Sequence, residues 1–263
     1  MNATSKSPRH VLVTGAGSGI GAAVAKKFSE EGDFVHLLDI SKDRLDAVAS
    51  DLHAHRSQSY VADVTDFDAI QEVISGIVTE KGSLDVLAGC AGVFDGLAGV
   101  EATTRELWNR IIEINLTGTF NVVKPVAEQM ISQKSGSIIL IGSIAASRTL
   151  PDGLSYVASK AALEGMTRRL AVDLGPHGVN CNIVAPGVVR TSIRATSEEI
   201  LGELVPDTNV GVGTSPELMN MLIPMQRGGL PEEIADTVFF LASKGAAYIS
   251  GDVIHVDGGW IAT

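Results

Sequence analysis

Thr14-Gly15-Ala16-Gly17-Ser18-Gly19-Ile20-Gly21 is the stretch from which the fold can be read. It follows an apolar, β-branched run, His10–Thr14, and opens an amphipathic stretch, Ile20–Glu31. A strand, a glycine turn and a helix in that order bring backbone N–H groups and the positive end of a helix dipole to one point. That arrangement suits a pyrophosphate. The spacing departs from the usual G-x-G-x-x-G. Counted from Gly15, the third glycine would fall at Ile20, and Gly17-x-Gly19-x-x-Ala22 fits only a looser form. A purely structural turn is the competing reading.

Working outward, apolar runs alternate with longer amphipathic stretches, the pattern of repeated βα units. Strands are expected at 10–14, 34–39, 57–61, 84–88, 137–141, 179–184 and 252–256. Helices are expected at 20–31, 42–54, 66–81, 104–133, 155–174 and 231–242, the fourth kinked near Pro125. The implied architecture is α/β: a doubly wound, Rossmann-type parallel sheet of seven strands with helices on both faces, one domain spanning 1–263. Residues 191–229 break the rhythm, with Pro206, Pro216, Pro224 and an apolar patch from Leu218 to Met225. Leaving Met219, Met221, Leu222, Ile223 and Met225 in water would be costly, so the segment reads as a lid over a substrate. Helices packed on the core or on a neighbouring subunit are the alternative.

Asp39 ends the second expected strand, about 20 residues after the glycine turn, where a dinucleotide site wants a carboxylate for the adenosine ribose. It would repel a 2′-phosphate, and Ile40 and Ser41 place no arginine immediately beside it, so NAD is favoured over NADP. Lys42 is the one residue that softens this preference. A helix N-cap role for Asp39 or Ser41 is the plainer reading.

Composition bounds the rest. Of 263 residues 45% are hydrophobic and 19% charged, enough for a substantial core. A net charge of −11 argues against a nucleic acid or an anionic membrane surface as main partner. Cys90 and Cys181 lie in apolar contexts and read as buried thiols of a reducing cytosol. Residues 1–10 lack an apolar signal core, and no run is long enough to span a membrane, so a soluble cytoplasmic protein is expected. The histidines are scattered, His53 and His55 would not share a helical face, and no metal is expected.

Tyr156-Val-Ala-Ser-Lys160 places a phenol and an ammonium on one face of a helix. A nearby cation favours phenolate, so the tyrosine's pKa is expected to fall towards working pH and make it a usable acid/base. Taken with the glycine turn and Asp39, the chain resembles the short-chain dehydrogenase/reductase family in its form of about 250 residues. The resemblance covers essentially the whole chain. It rests on the glycine turn, Tyr156-x3-Lys160, Ser143 in Ile-Gly-Ser-Ile, Asn115 in Ile-Asn-Leu-Thr-Gly, Asp63 in Asp-Val-Thr, Pro186-Gly187 with Thr191, and the final Gly251–Gly259 segment.

The resemblance implies hydride transfer between a nicotinamide cofactor, here NAD, and a secondary alcohol or its ketone. Tyr156 would be the acid/base, Ser143 a donor to the substrate oxygen, and Lys160 a ligand of the nicotinamide ribose. Asn115 would hold a relay water, or simply satisfy backbone. It implies cofactor contacts at Gly15, Ser18, Gly19, Ile20, Gly21, Asp39, Asp63, Val64, Ala91, Gly92, Tyr156, Lys160, Val189 and Thr191, and a homotetramer formed through the last strand and the helices carrying Asn115 and Tyr156. One departure stands out: the family's Asn-Asn-Ala-Gly is here Gly89-Cys90-Ala91-Gly92, with an expected cost in local stability rather than activity.

Candidate walls for the substrate are Val93, Phe94, Ala145, Leu150, Val188, Ile193 and the lid patch, which suit an uncharged hydrophobic or cyclic molecule. Arg148, Arg190 and Arg194 could instead meet an anion. Two alternatives remain: an NADPH-dependent 3-oxoacyl thioester reductase, against which Asp39 and the acidic surface argue, and a catalytically idle dinucleotide sensor, which would have no need of Ser143, Tyr156, Lys160 and Asn115.

Overall fold

A computed structural model describes residues 8–53, 56–148, 152–205 and 215–263. Seven strands form one sheet: β1 (His10–Thr14), β2 (Phe34–Asp39), β3 (Ser57–Val61), β4 (Val86–Gly89), β5 (Gly136–Ile141), β6 (Val179–Pro186) and β7 (Val253–Val256). All pair in parallel, in the order β3-β2-β1-β4-β5-β6-β7. The order reverses beside β1, whose Val11 is in register with Val35 on one side and Val86 on the other. A crevice opens at such a switch point, beyond the carboxyl ends of the strands.

The helices are α1 (Gly19–Glu30), α2 (Lys42–Asp51), α3 (Phe67–Lys81), α4 (Arg105–Ile112), α5 (Gly118–Gln133), α6 (Leu154–Leu174), α7 (Ile193–Leu201), α8 (Pro216–Leu222) and α9 (Pro231–Leu241). They cover both faces. Leu12, Leu87 and Leu140 pack with Ile70 of α3, Leu107 of α4, Val126 of α5 and Leu163 of α6. On the opposite face Val13, Leu37 and Ala88 pack with Phe28 of α1, Leu45 of α2 and Val238 of α9. Each fully buried Leu, Ile or Phe among these contributes roughly 1.5–3 kcal/mol, and the double-sided burial explains why the central strands are apolar without alternation.

Several helix starts are set by local chemistry. The side chains of Ser41, Asp66 and Thr104 accept the backbone N–H of Arg44, Ala69 and Leu107, three residues on. Three boundaries differ from expectation. The single helix expected over 104–133 is two helices joined by a π-turn at Glu113–Thr117, while Pro125 sits inside α5. The ladder of the fourth strand starts at Val86, and just before it the Asp85 carboxylate accepts the His10 N–H at 2.8 Å. Helix α2 ends at Asp51, short of the expected Ala54, which lies outside the described residues.

The segment expected to be strandless, 191–229, carries α7 and α8 and is closed at its base by a single parallel bridge between Val189 and Gly229. Its part from 206 to 214, including Pro206, lies outside the described residues. Met219, Leu222 and Ile223 pack against Ile144, Val188 and Trp260. Met221 and Met225, expected to need cover as well, are exposed at 72% and 66%. They fall on the outer side of α8 and beyond its end.

Candidate active site

At the carboxyl end of β1 the chain turns through Gly15, at φ +64°, and enters α1 after Gly19, at φ +52°. A Cβ on Gly21 would lie 2.1 Å from the Gly15 carbonyl oxygen, so only glycine lets the turn close on the helix. The α1 N-cap, Ser18, makes no side-chain capping bond. The first N–H groups of a helix are unpaired within it, and here nothing from Ser18 competes for them. Gly15, Ser18, Gly19, Ile20 and Gly21 all line a cavity of about 420 Å³.

That cavity runs from Asp39, Asp63 and Val64, past Ala91 and Gly92, to Ser143, Tyr156 and Lys160, with Val189 and Thr191 on its other rim. Thr191 faces the turn closely: a Cβ on Gly19 would lie 3.2 Å from its Cβ. Of the residues expected at the site, Asn115 alone does not line the cavity. It is fully buried, accepting the Val93 N–H at 2.8 Å and donating to the Val93 carbonyl at 2.9 Å and to Ser159 Oγ at 3.2 Å. Its side chain thus clamps the backbone that leads out of β4, the plainer of its two expected roles. Of the substrate walls, Val93, Phe94, Val188, Ile193, Arg190, Arg194 and Met219 line the cavity. Ala145 packs behind Phe94 and Tyr156, Arg148 reaches the Ile261 carbonyl at 3.3 Å, and Leu150 lies outside the described residues.

Asp39 is more fully engaged than its position alone suggests. Its carboxylate accepts the Gly17 N–H at 3.0 Å and the Ser41 N–H at 3.0 Å. Ser41, not Asp39, caps α2. The expectation that no arginine compensates Asp39 fails in three dimensions. Arg44, in the first turn of α2, folds back to Asp39 at 3.2 Å and reaches Glu199 of α7 at 2.7 Å. The only sequence signal was the five-residue spacing, which a helix starting at Lys42 converts into proximity.

At the replaced Asn-Asn pair, a side chain at the first position would meet the neighbouring strand β5. Gly89 lies against Leu140, where a Cβ would approach to 2.7 Å. The Cys90 and Ala91 N–H groups are both held by Thr14 Oγ1 at 3.2 Å. Burial pushes the Cys90 thiol up to about 12, so it stays a thiol.

Lys160 is 5% exposed and donates to the Ile141 carbonyl at 2.9 Å, with Nζ 5.5 Å from the Tyr156 ring centroid. Burial lowers its pKa to about 8. The expected fall in the tyrosine's pKa does not occur in the protein alone. Burial, then the Asp152 carboxylate, drive the phenol upward; Asp95 adds to this, and hydrogen bonding with Ser143 is what opposes them. Desolvation of an 8%-exposed phenol outweighs a lysine whose own charge is destabilised by the same burial. Asp95 and Asp152 carry no sequence motif. Asp95 is completely buried and accepts the Tyr156 backbone N–H at 2.9 Å, and Asp152 lines the cavity. Burial raises both carboxyls to about 6.

The residues fit a dinucleotide: an anion-ready helix end, a carboxylate lining the same cavity, and a lysine–tyrosine–serine group that also lines it. A family model described as enoyl-(acyl carrier protein) reductase matches residues 15–261. The chain belongs to the short-chain dehydrogenase/reductase family. It is 36% identical to a 3-oxoacyl-[acyl-carrier-protein] reductase of Thermotoga maritima over 252 residues, covering 95% of this chain and 96% of that one. It is 36% identical to an NAD-dependent glycerol dehydrogenase of Listeria innocua over 249 residues, covering 95% and 92%. Among solved structures, an NAD+-bound xylitol dehydrogenase superposes with a TM-score of 0.85 at 30% identity, covering 95% of this chain and 98% of that one. Membership makes the chain an oxidoreductase that uses a nicotinamide cofactor. Among the described residues no helix is long and apolar enough to cross a membrane, and no group of three or more His, Cys, Asp or Glu is arranged to hold a metal ion.

Proposed function

We propose that the protein is an NAD-dependent dehydrogenase of secondary alcohols, working also in reverse on ketones. The observation that carries this reading is the convergence of Ser143, Tyr156 and Lys160 on one cavity whose other end is Asp39. When bound, the nicotinamide accepts the hydride, both electrons of the carbinol C–H bond, and its positive charge favours phenolate. The Tyr156 oxygen takes the hydroxyl proton as the carbon–oxygen bond becomes a carbonyl, and returns it during reduction. The Ser143 hydroxyl donates to the substrate oxygen as charge develops there. Lys160 would hold the ribose hydroxyls and, still largely protonated at neutral pH, adds its charge to the field at the phenol. The described parts of the lid segment would cover the substrate, α7 and α8 contributing Ile193 and Met219 to the cavity.

The preference for NAD rests on the Asp39 carboxylate. Arg44 beside it supports a second reading, a reductase that uses NADPH on 3-oxoacyl thioesters, as the name of the Thermotoga relative describes. One assay separates them: NAD or NADP with a panel of secondary alcohols, and NADPH with a 3-oxoacyl thioester, each followed by nicotinamide absorbance. Turnover is expected with NAD and alcohols, and Tyr156→Phe should lose it by about a thousandfold or more while still binding NAD, within the range for a general acid/base. Near-normal turnover in that variant, or turnover confined to NADPH and thioester, overturns the assignment.

A further inference from the structure

Asp152 is the one acidic side chain, among the described residues, that lines the cavity at its reacting end, beside Ser143 and Tyr156. It directly precedes Gly153, the N-cap of α6, so the helix that presents the phenol also fixes this carboxylate four residues upstream. Its position is costly. It is desolvated, it stands near the buried Asp95, and it works against the phenolate that alcohol oxidation needs. Asp152 is half-buried, with its carboxylate on the cavity wall, and a partly desolvated carboxylate is favoured where something donates to it. Arg194 offers partial compensation, but its guanidinium lies over the Phe94 ring, 5.2 Å from the centroid. Phe94, Ile193, Met219 and Trp260 also line the cavity, beside Arg190 and Thr191, and give a carbon skeleton somewhere to lie.

We propose that Asp152 is a specificity-determining residue that accepts a hydrogen bond from a second hydroxyl of the substrate, next to the carbinol being oxidised. The substrate class is therefore a compact vicinal diol or polyol, and in reverse an α-hydroxyketone, not the plain hydrophobic alcohol expected from the sequence. Arg194 in the same wall disfavours an ammonium as the donor. A 3-oxoacyl thioester has no hydroxyl to offer at that point, so the carboxylate also selects against it. This rests on the dehydrogenase reading above and narrows it.

The test compares butane-2,3-diol with butan-2-ol, both with NAD, in the wild type, Asp152→Ala and Asp152→Asn, with NAD affinity and thermal midpoint measured for each variant. In the wild type kcat/KM should favour the diol by about tenfold or more, the scale of a hydrogen bond to a charged group. Asp152→Ala should collapse that ratio to near unity. Asp152→Asn, which keeps an acceptor oxygen, should retain part of it. Both variants should shift the rise of oxidation rate with pH towards lower pH, because the carboxylate that opposes phenolate is gone; Asp95, Arg194, Ser143 and Lys160 still surround the phenol. Equal losses for both alcohols, or a wild type indifferent to the second hydroxyl, overturn this inference and leave the dehydrogenase reading standing. No NAD reduction with either alcohol by a folded wild type overturns both.

Discussion

Asp39 and Arg44 show how one residue's meaning depends on a neighbour that the linear order hides. The carboxylate is read correctly as the end of β2, yet its charge is shared with a guanidinium at 3.2 Å. Asp39→Ser should leave Arg44 facing the ribose without its counter-charge, and the NAD/NADP preference should move towards NADP by about tenfold or more, since a full opposite charge near a phosphate is worth more than a neutral hydrogen bond. The ratio of kcat/KM for the two cofactors measures it, and an unchanged ratio would show that Asp39 does not discriminate. Tyr156 gives the complementary lesson. The four-residue spacing to Lys160 correctly predicts a shared helical face, but spacing says nothing of desolvation, and burial with Asp152 sets the direction of the phenol's shift.

Among the elements, α6 is the one on which the chemistry stands, and its start is secured from elsewhere. Its N-cap, Gly153, has no side chain to cap with, and Asp95, from the segment after β4, takes the Tyr156 N–H instead. A Cβ at position 153 would lie 2.1 Å from Asp95 Oδ1, so the glycine is there to admit the carboxylate. Asp95→Ala should cost about 1 kcal/mol, the usual value of a cap, and lower Tm by roughly 2–4 °C. It should also reduce kcat through the loosened phenol, whereas Asp95→Asn keeps an acceptor and should retain most of both. An Asp95→Ala variant with unaltered Tm and kcat would contradict the role. The sheet, most helix starts and the glycine turn at the cavity were legible because they depend on local periodicity, capping side chains and turn chemistry. The remote cap and the carboxylate in the pocket were not, because each depends on a contact between segments that no local pattern encodes, and the π-turn at 113–117 is a change of helical pitch that apolar periodicity does not mark.

At the scale of the whole molecule, stability should depend on pH through the first three strands. His36 is fully buried, with His10 at 3.2 Å and the Tyr60 hydroxyl at 3.3 Å from its ring nitrogens. Burial, then the neighbouring His10, lower its pKa from 6.5 to about 3. The unfolded chain therefore binds a proton below pH 6.5 that the folded chain refuses until about pH 3. This neutral imidazole's contribution is intact above pH 6.5 and is lost as pH falls, at about 1.4 kcal/mol per pH unit. Asp95 and Asp152, raised to about 6, act with the opposite sign, so the clean measurement is a difference. Relative to the wild type, His36→Phe should gain stability steadily from pH 6.5 to 5 in denaturant titrations. A gap independent of pH would show that His36 titrates normally.

The bond from Asp95 to the Tyr156 backbone joins positions 61 residues apart. A contact of that separation repays its loop-closure entropy only after the intervening chain has been organised. β5 lies between β4 and the start of α6, so the two ends meet across the body of the sheet. The first turn of the phenol-bearing helix therefore draws its order from the tertiary structure and not from its own sequence, and the site's chemistry is tied to the integrity of the whole architecture.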